Sequence, residues 1–369
     1  MVNMKRKGTL NFMIFSLIWV ICWFPLLSTS LSMTFSNEDF FRQVLSKSTN
    51  FLLKYQNSEG AFIPSDMNMT SYNTYVFLHS YIFDALLDAK AFSLEINSEI
   101  IAKAQNYLLN MRYEDCWNFS IDIPTDTDDS AIATIALYRS GISKSVLSNT
   151  LKKLNSTLTS EGYSKFWITT NATLFLYYVE NNTYANFTGN VYDSIYLTAG
   201  TIYSMYLCDY ITYKSQVDKS IQLLETQQSA NGSWLCRYWY PGEYYGTFLC
   251  TRLIASVKPD SFTLSKAYNF LIAAQNPDGG WGRNITSNPL DTSLALISLY
   301  YLYQIGFDCN SELLNGINYL CAVQYENGTF QEIPLWTSYP NTYYEGKSLT
   351  TLFAVKAIAC LLYTSPSPR

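Results

Sequence analysis

Two kinds of apolar segment alternate along this chain. In the first, hydrophobic residues recur every three or four positions, as over 267–274, which predicts a helix with one buried stripe and one wet face. In the second, nearly every position is apolar, as over 132–137 and 294–303, which predicts a helix buried all round. A recurring turn separates them. Gln228 leads to Gly232 and Trp234, Gln275 to Gly279 and Trp281, Gln324 to Gly328 and Phe330, and Gln56 to Gly60 and Phe62. The steps are 275 − 228 = 47 and 324 − 275 = 49 residues, and degenerate copies at 111–117 and 161–166 bring the number to six. The fully buried helices are expected near 73–88, 130–140, 194–210, 245–256, 292–304 and 348–358. Half-exposed and buried helices alternating at a period near 50 predict an all-α fold, a double-layered α/α toroid of six helix-pair repeats. The glycine is expected to end each first helix in the left-handed conformation, with the aromatic packed over the helix ends.

Both termini bound this toroid. Lys5, Arg6 and Lys7 precede an apolar run over 12–27, followed by Ser28, Thr29 and Ser30. That order reads as a signal peptide over 1–30, cleaved or kept as an anchor; the run is shorter than the about 20 residues of a spanning helix. The rest of the chain is then expected outside the cytoplasm, secreted or anchored. The rival reading begins a cytosolic protein at Met33. The last ten residues, 360–369, resemble the translation of a sequencing adapter, so the toroid is assigned to 34–359.

Composition narrows the function. Hydrophobic residues make up 48 % and charged residues 14 %, and the net charge of −5 comes without a basic stripe, which argues against a nucleic-acid partner. Outside both suspect ends the cysteines are Cys116, Cys208, Cys236, Cys250, Cys309 and Cys321, without the spacing of a zinc site. The single histidine, His79, lies in an apolar helical stretch and reads as a packed residue, so no metal and no cofactor is expected. Asn-x-Ser/Thr triplets such as those at Asn171, Asn186 and Asn284 weigh little in so Asn- and Thr-rich a chain. No glycine-rich phosphate loop and no Lys/Arg cluster is visible, leaving Arg237 and Lys347 as lone cations near one mouth of the ring.

The candidate chemistry is acidic and aromatic. Asp126, Asp128 and Asp129 fall within four residues at the start of a buried helix. One reading makes them helix caps, whose carboxyls accept backbone N–H groups and whose pKa values fall. Other repeats carry that cap with a single acid, as at Asp193 and Asp291, so the surplus here calls for a second reading: crowded carboxyls that cannot all ionise, one of which keeps a proton. Asp126 or Asp129 is expected on the cap and Asp128 turned inward. Trp117 precedes the acidic loop, while Tyr244, Tyr245, Tyr343 and Tyr344 lie just before buried helices and are expected to rim the same mouth, where aromatic faces can hold a cation. Core packing is the alternative for each.

The Gln…Gly-x-Trp repeat resembles that of squalene–hopene cyclases, plant copalyl diphosphate synthases and protein prenyltransferase β subunits. The likeness extends over about 40–359 and is closest at Gly279-Gly280-Trp281-Gly282 followed by Asp291-Thr292-Ser293. Pro124-Thr125-Asp126-Thr127-Asp128-Asp129-Ser130-Ala131 is similar to the D-x-D-D-[TS]-A motif of class II terpene cyclases. That resemblance implies acid-initiated cyclisation of an isoprenoid, with Asp128 as general acid and Asp126 and Asp129 tuning it. It implies an apolar isoprenoid-like small molecule as partner, membrane-surface association as a further expectation, and no obligate protein partner. In squalene cyclases a histidine supports the acid; here His79 is the only candidate and sits two helix pairs from any position that would align with it, which leaves a water or a tyrosine as the replacement. The alternative is an exported, non-catalytic toroid that binds an apolar small molecule or a protein.

Overall fold

The computed structural model describes residues 38–67, 75–92, 94–119, 124–168, 195–236, 240, 242–338 and 342–363. Six helix pairs follow one another. Outer α1 (Glu38–Leu53) pairs with inner α2 (Tyr75–Ala91), α3 (Ser98–Asn110) with α4 (Thr127–Arg139), and α5 (Lys144–Ser156) with the first half of α6 (Ile195–Thr226). Helix α6 breaks at Asp209, whose φ of −156° and ψ of 61° are not helical, so its second half is an outer helix paired with α7 (Tyr244–Val257). Then α8 (Phe262–Ala273) pairs with α9 (Pro289–Gln304), and α10 (Asn310–Val323) with α11 (Lys347–Tyr363). Each inner helix packs on the next, and α11 returns to α2, which closes an α/α toroid. The outer helices bury one stripe, as Leu147, Thr150, Leu151 and Leu154 do in α5, whereas α9 is buried at every position from Pro289 to Leu299. A short antiparallel hairpin, β1 (Trp336–Ser338) and β2 (Thr342–Tyr344), precedes α11.

The repeat signature is a set of hydrogen bonds. The glutamine amide of each well-formed copy ties its own turn to the next outer helix: Gln228 Nε2 donates to the Gly232 and Thr263 carbonyls, and Gln275 Nε2 to those of Gly279 and Glu312. Gln324 closes the circle by donating to Val44 O in α1, 280 residues away in sequence. The tryptophan indoles cap outer helices, with Trp117, Trp234 and Trp281 donating to Leu108, Leu224 and Leu271 carbonyls at 2.7–2.8 Å. The glycine differs from expectation. It lies in the turn beyond the helix end, not in the cap, and it allows close approach as well as a positive φ: at Gly279 (φ +87°) a Cβ would lie 2.6 Å from the Asn315 carbonyl oxygen of α10.

The degenerate copies follow the same geometry. In the second, Asp115 holds the positive φ (67°) two residues before Trp117, where the others use glycine. In the third, Gly162 places Ser164, not Phe166, in the aromatic's slot. Among the described residues Cys116, Cys208, Cys250, Cys309, Cys321 and Cys360 are free thiols. The proposed signal segment, the final residues from 364 on, Asp193, the sequons at Asn171 and Asn186, Arg237 and the side chains of Tyr343 and Tyr344 lie outside the described residues. Helix α11 runs on to Tyr363, with Leu361 and Leu362 buried.

Candidate active site

One hydrogen bond sets all six inner helices in register. The backbone N–H of each turn's aromatic, or of its substitute, meets a side chain one turn into the following inner helix. Trp117 donates to Ser130 Oγ, Trp234 to Thr247 Oγ1, Trp281 to Thr292 Oγ1, Phe330 to Thr351 Oγ1 and Ser164 to Thr198 Oγ1, all at 2.9–3.3 Å. In the first repeat Phe62 donates to His79 Nδ1 at 3.0 Å, and His79 Nε2 faces the Ala104 carbonyl at 3.2 Å. A backbone N–H can only donate, so the proton of this imidazole sits on Nε2. Burial lowers the His79 pKa to about 3, which keeps it neutral. The histidine is therefore a scaffold residue standing where the other repeats place a hydroxyl.

Counting two residues back from these acceptors gives Phe77, Asp128, Tyr196, Tyr245, Leu290 and Leu349, one per inner helix. Asp128 is the one acid at this level. The comparison with α9 separates the three carboxyls. Asn288 caps α9 by accepting from Asp291 N at 2.8 Å, as Asp126 caps α4 by accepting from Asp129 N at 2.9 Å. Asp126 and Asp129 thus correspond to Asn288 and Asp291 and belong to the helix start. Asp128 corresponds to the buried Leu290 and has no architectural counterpart.

Asp128 turns toward an aromatic cluster. Tyr240 Oη donates to its Oδ2 at 2.6 Å. The Tyr240 ring stacks on Tyr245 at 4.5 Å and on Phe77 at 6.1 Å, and meets Tyr196 edge-on at 4.7 Å. Trp336 lies 5.0 Å from Phe77, and Tyr81 Oη bonds Tyr245 Oη at 2.6 Å. Four inner helices and the loop between Cys236 and Gly242 therefore converge on one carboxyl. Asp128 is half-buried, and desolvation raises its pKa to about 6 against the opposing pull of the Tyr240 hydrogen bond. Burial raises Asp126 to about 7, so even the capping carboxyl moves upward, because desolvation exceeds what its N–H bond returns. Asp129 is pushed well up by burial and by the charges of Asp126 and Asp128. Asp126 Oδ2 and Asp129 Oδ1 are buried and lack a donor, and the Asp126 side chain adds to the upward push on Asp129.

Not every residue read from the sequence joins this cluster. Tyr245 does. Trp117 does not: its indole caps α3 and its backbone registers α4, so it belongs to the scaffold. Tyr244 points the other way, toward the Gly282 carbonyl and the Phe270 ring of the neighbouring repeat. Lys347 lies over the Tyr325 ring. Phe77, Tyr81, Tyr196 and Trp336 carry no motif of their own; the first and third become legible only once the Ser/Thr/His acceptor is used to align the repeats. Tyr240 has no repeat signal, since its loop is peculiar to one pair. Among the described residues no group of three His, Cys, Asp or Glu side chains is arranged to hold a metal ion. A half-buried proton donor facing aromatic walls can protonate an apolar substrate, and the walls can stabilise the cation that results.

The family model for the squalene-hopene cyclase C-terminal domain matches residues 113–361. A squalene–hopene cyclase of Zymomonas mobilis is 26 % identical over 261 residues, which cover 65 % of this chain and 38 % of that protein. Another, of Bradyrhizobium diazoefficiens, is 31 % identical over 144 residues, covering 35 % and 21 %. Among solved structures, a variant of the type II terpene cyclase MstE from Scytonema, in complex with its substrate geranylgeranyl dihydroxybenzoate, superposes with a TM-score of 0.73 at 16 % identity, covering 89 % of this chain and 99 % of that one. The chain thus spans well under half the length of the curated relatives it matches, and the structural likeness is one of fold.

Proposed function

The chain belongs to the squalene-hopene cyclase C-terminal domain family, and on that premise we propose that it is a class II terpene cyclase, which starts cyclisation of a linear isoprenoid by protonating it. The observation that carries the reading is the contrast between Asp128 and its equivalents: one acid in a level of aromatic and aliphatic residues, bonded by Tyr240 and raised by burial. With Tyr240 donating to Oδ2, the proton sits on Oδ1 and passes from there to a terminal alkene or epoxide. The carboxylate left behind keeps the Tyr240 bond. The faces of Tyr245, Tyr196, Phe77 and Trp336 offer cation–π stabilisation without a nucleophile to quench the cation. Asp126 and Asp129 beside it are held upward by burial and by the charge of Asp128, and the two titrate as a pair.

The names of the relatives support an isoprenoid substrate. The basic, apolar and small-residue order of residues 1–30 supports an extracytoplasmic, membrane-proximal setting. Purified protein incubated with linear isoprenoids, with and without a diphosphate, is expected to yield cyclised product. Asp128→Asn should lower its rate by about 100-fold or more. Ligand binding without conversion, unchanged by Asp128→Asn, would point to the non-catalytic carrier instead.

A further inference from the structure

We propose that the end of the inner barrel remote from Asp128 is a second subsite, which receives a carboxylate as the head group of the chain whose other end meets Asp128. The identity of that chain rests on the cyclase reading; the site stands on its own geometry. Seven residues beyond the acid level, roughly 10 Å along each helix axis, the register gives Asp84, Ile135, Tyr203, Arg252, Ile297 and Lys356. All six line one cavity of about 190 Å³, floored a turn further on by Asp88, Arg139, Tyr301 and Cys360. The same inward faces that carry the acid and aromatics at one end thus carry a cluster of charges at the other.

The cluster is incomplete in a specific way. Lys356 Nζ donates to Asp84 Oδ2 at 2.5 Å and to Asp88 Oδ2 at 2.6 Å, and Arg139 pairs with the other oxygen of each carboxylate. Against burial, these pairs hold the Asp84 carboxyl well below its usual range and keep Lys356 protonated. Burial keeps the Cys360 thiol neutral, at about 12. Two carboxylates are therefore matched by Arg139 and Lys356, and Arg252 is left over: with three cations and two anions the cavity carries 3 − 2 = +1. Arg252 is 4 % exposed and lies 4.0 Å over the Tyr203 ring and 4.9 Å over the Phe248 ring. Its Nε is buried without an acceptor.

A buried guanidinium donor without an acceptor is costly, and aromatic faces satisfy its charge but not its N–H. A carboxylate supplies the acceptor and the single negative charge that neutralises the cavity, and it matches the planar fork of arginine. A diphosphate would bring more negative charge than the cavity balances. The volume is several times that of a water molecule. Tyr81 links the two ends, bonding Tyr245 at the acid level while Asp84 and Arg252 act on it from below.

The test measures binding of farnesoate, farnesol and farnesyl diphosphate to the full chain by calorimetry. Farnesoate should bind roughly tenfold or more tightly than farnesol. Arg252→Met should abolish that preference, Arg252→Lys should keep most of it, and Asp128→Asn should leave it intact. If Arg252→Met does not fold, the Lys variant and the wild-type comparison still decide. Equal affinity for farnesoate and farnesol would overturn the proposal and leave water as the occupant of the cavity. So would a preference that survives Arg252→Met, or diphosphate binding more tightly than carboxylate. Because binding is read without turnover, a preference for farnesoate with no cyclised product would sink the cyclase reading alone, and product without the preference would sink only the subsite.

Discussion

Asp126, Asp128 and Asp129 carry the same functional group, and their positions in the first turn of α4 divide the work. Two of them reproduce a helix start found in α9, and the middle one faces the Tyr240 ring cluster. The electrostatics set a pH dependence. A general acid must be protonated, and Asp128 loses its proton as pH rises through about 6, so the rate should fall above that pH. Tyr240 stabilises the carboxylate form and lowers the pKa that burial raises. Tyr240→Phe should therefore move the limb of the pH–rate profile to higher pH and reduce the rate about 10- to 100-fold, the worth of a hydrogen bond to a charged group. A rate loss with an unmoved profile would contradict this role. The acidic cluster was legible from its spacing, whereas the choice of Asp128 as the acid that turns inward came from the resemblance of the motif to D-x-D-D-[TS]-A. Tyr240 was not, because a residue in a loop that occurs once has no second copy to be aligned with. Trp117 and Tyr244 mislead for one reason: closeness in sequence to the acid or to a helix start does not say which way a side chain leaves the backbone.

The turn is the element on which the ring depends. Its glycine meets two demands, a positive φ and a carbonyl of the next outer helix at close range. Gly279→Ala should therefore destabilise the protein by about 3 kcal/mol, from strain plus displacement of α10. The converse holds where the glycine is missing. Asp115 adopts φ 67° in the second turn, and Asp115→Gly should stabilise by about 0.5–1 kcal/mol, seen as a rise of a few degrees in Tm. A fall in Tm for that variant would mean that the Asp115 side chain contributes more than its backbone costs. The Gln…Gly-x-aromatic grammar revealed the spacing of repeats because the four well-formed copies tie their turns to the next outer helix by the same glutamine hydrogen bond. In the third copy the aromatic at 166 stands two residues out of register: Ser164 makes the backbone bond of the slot without the aromatic that marks it. His79 escapes alignment for the same reason, since an imidazole replaces a hydroxyl as acceptor.

At the scale of the whole molecule, the inner helices run parallel and give the barrel two unlike ends. The acid and its aromatics sit at the helix starts, and the ion cluster sits roughly 10–16 Å further along, by the rise of seven to eleven helical residues. The toroid was legible from alternation of half-wet and dry helices at a fixed period. The ion cluster was not, because Asp84, Arg139, Arg252 and Lys356 come from four repeats and look like isolated charges until the ring closes. Protonation at Asp128 remains the central claim, and solvent deuterium tests it directly. Asp128 exchanges its proton with solvent, so cyclisation in D₂O should place one deuterium at a single carbon of the product, and Asp128→Asn should form no labelled product. Cyclised product without deuterium, or labelled product at an undiminished rate from Asp128→Asn, would contradict the assignment of this carboxyl as the initiating acid.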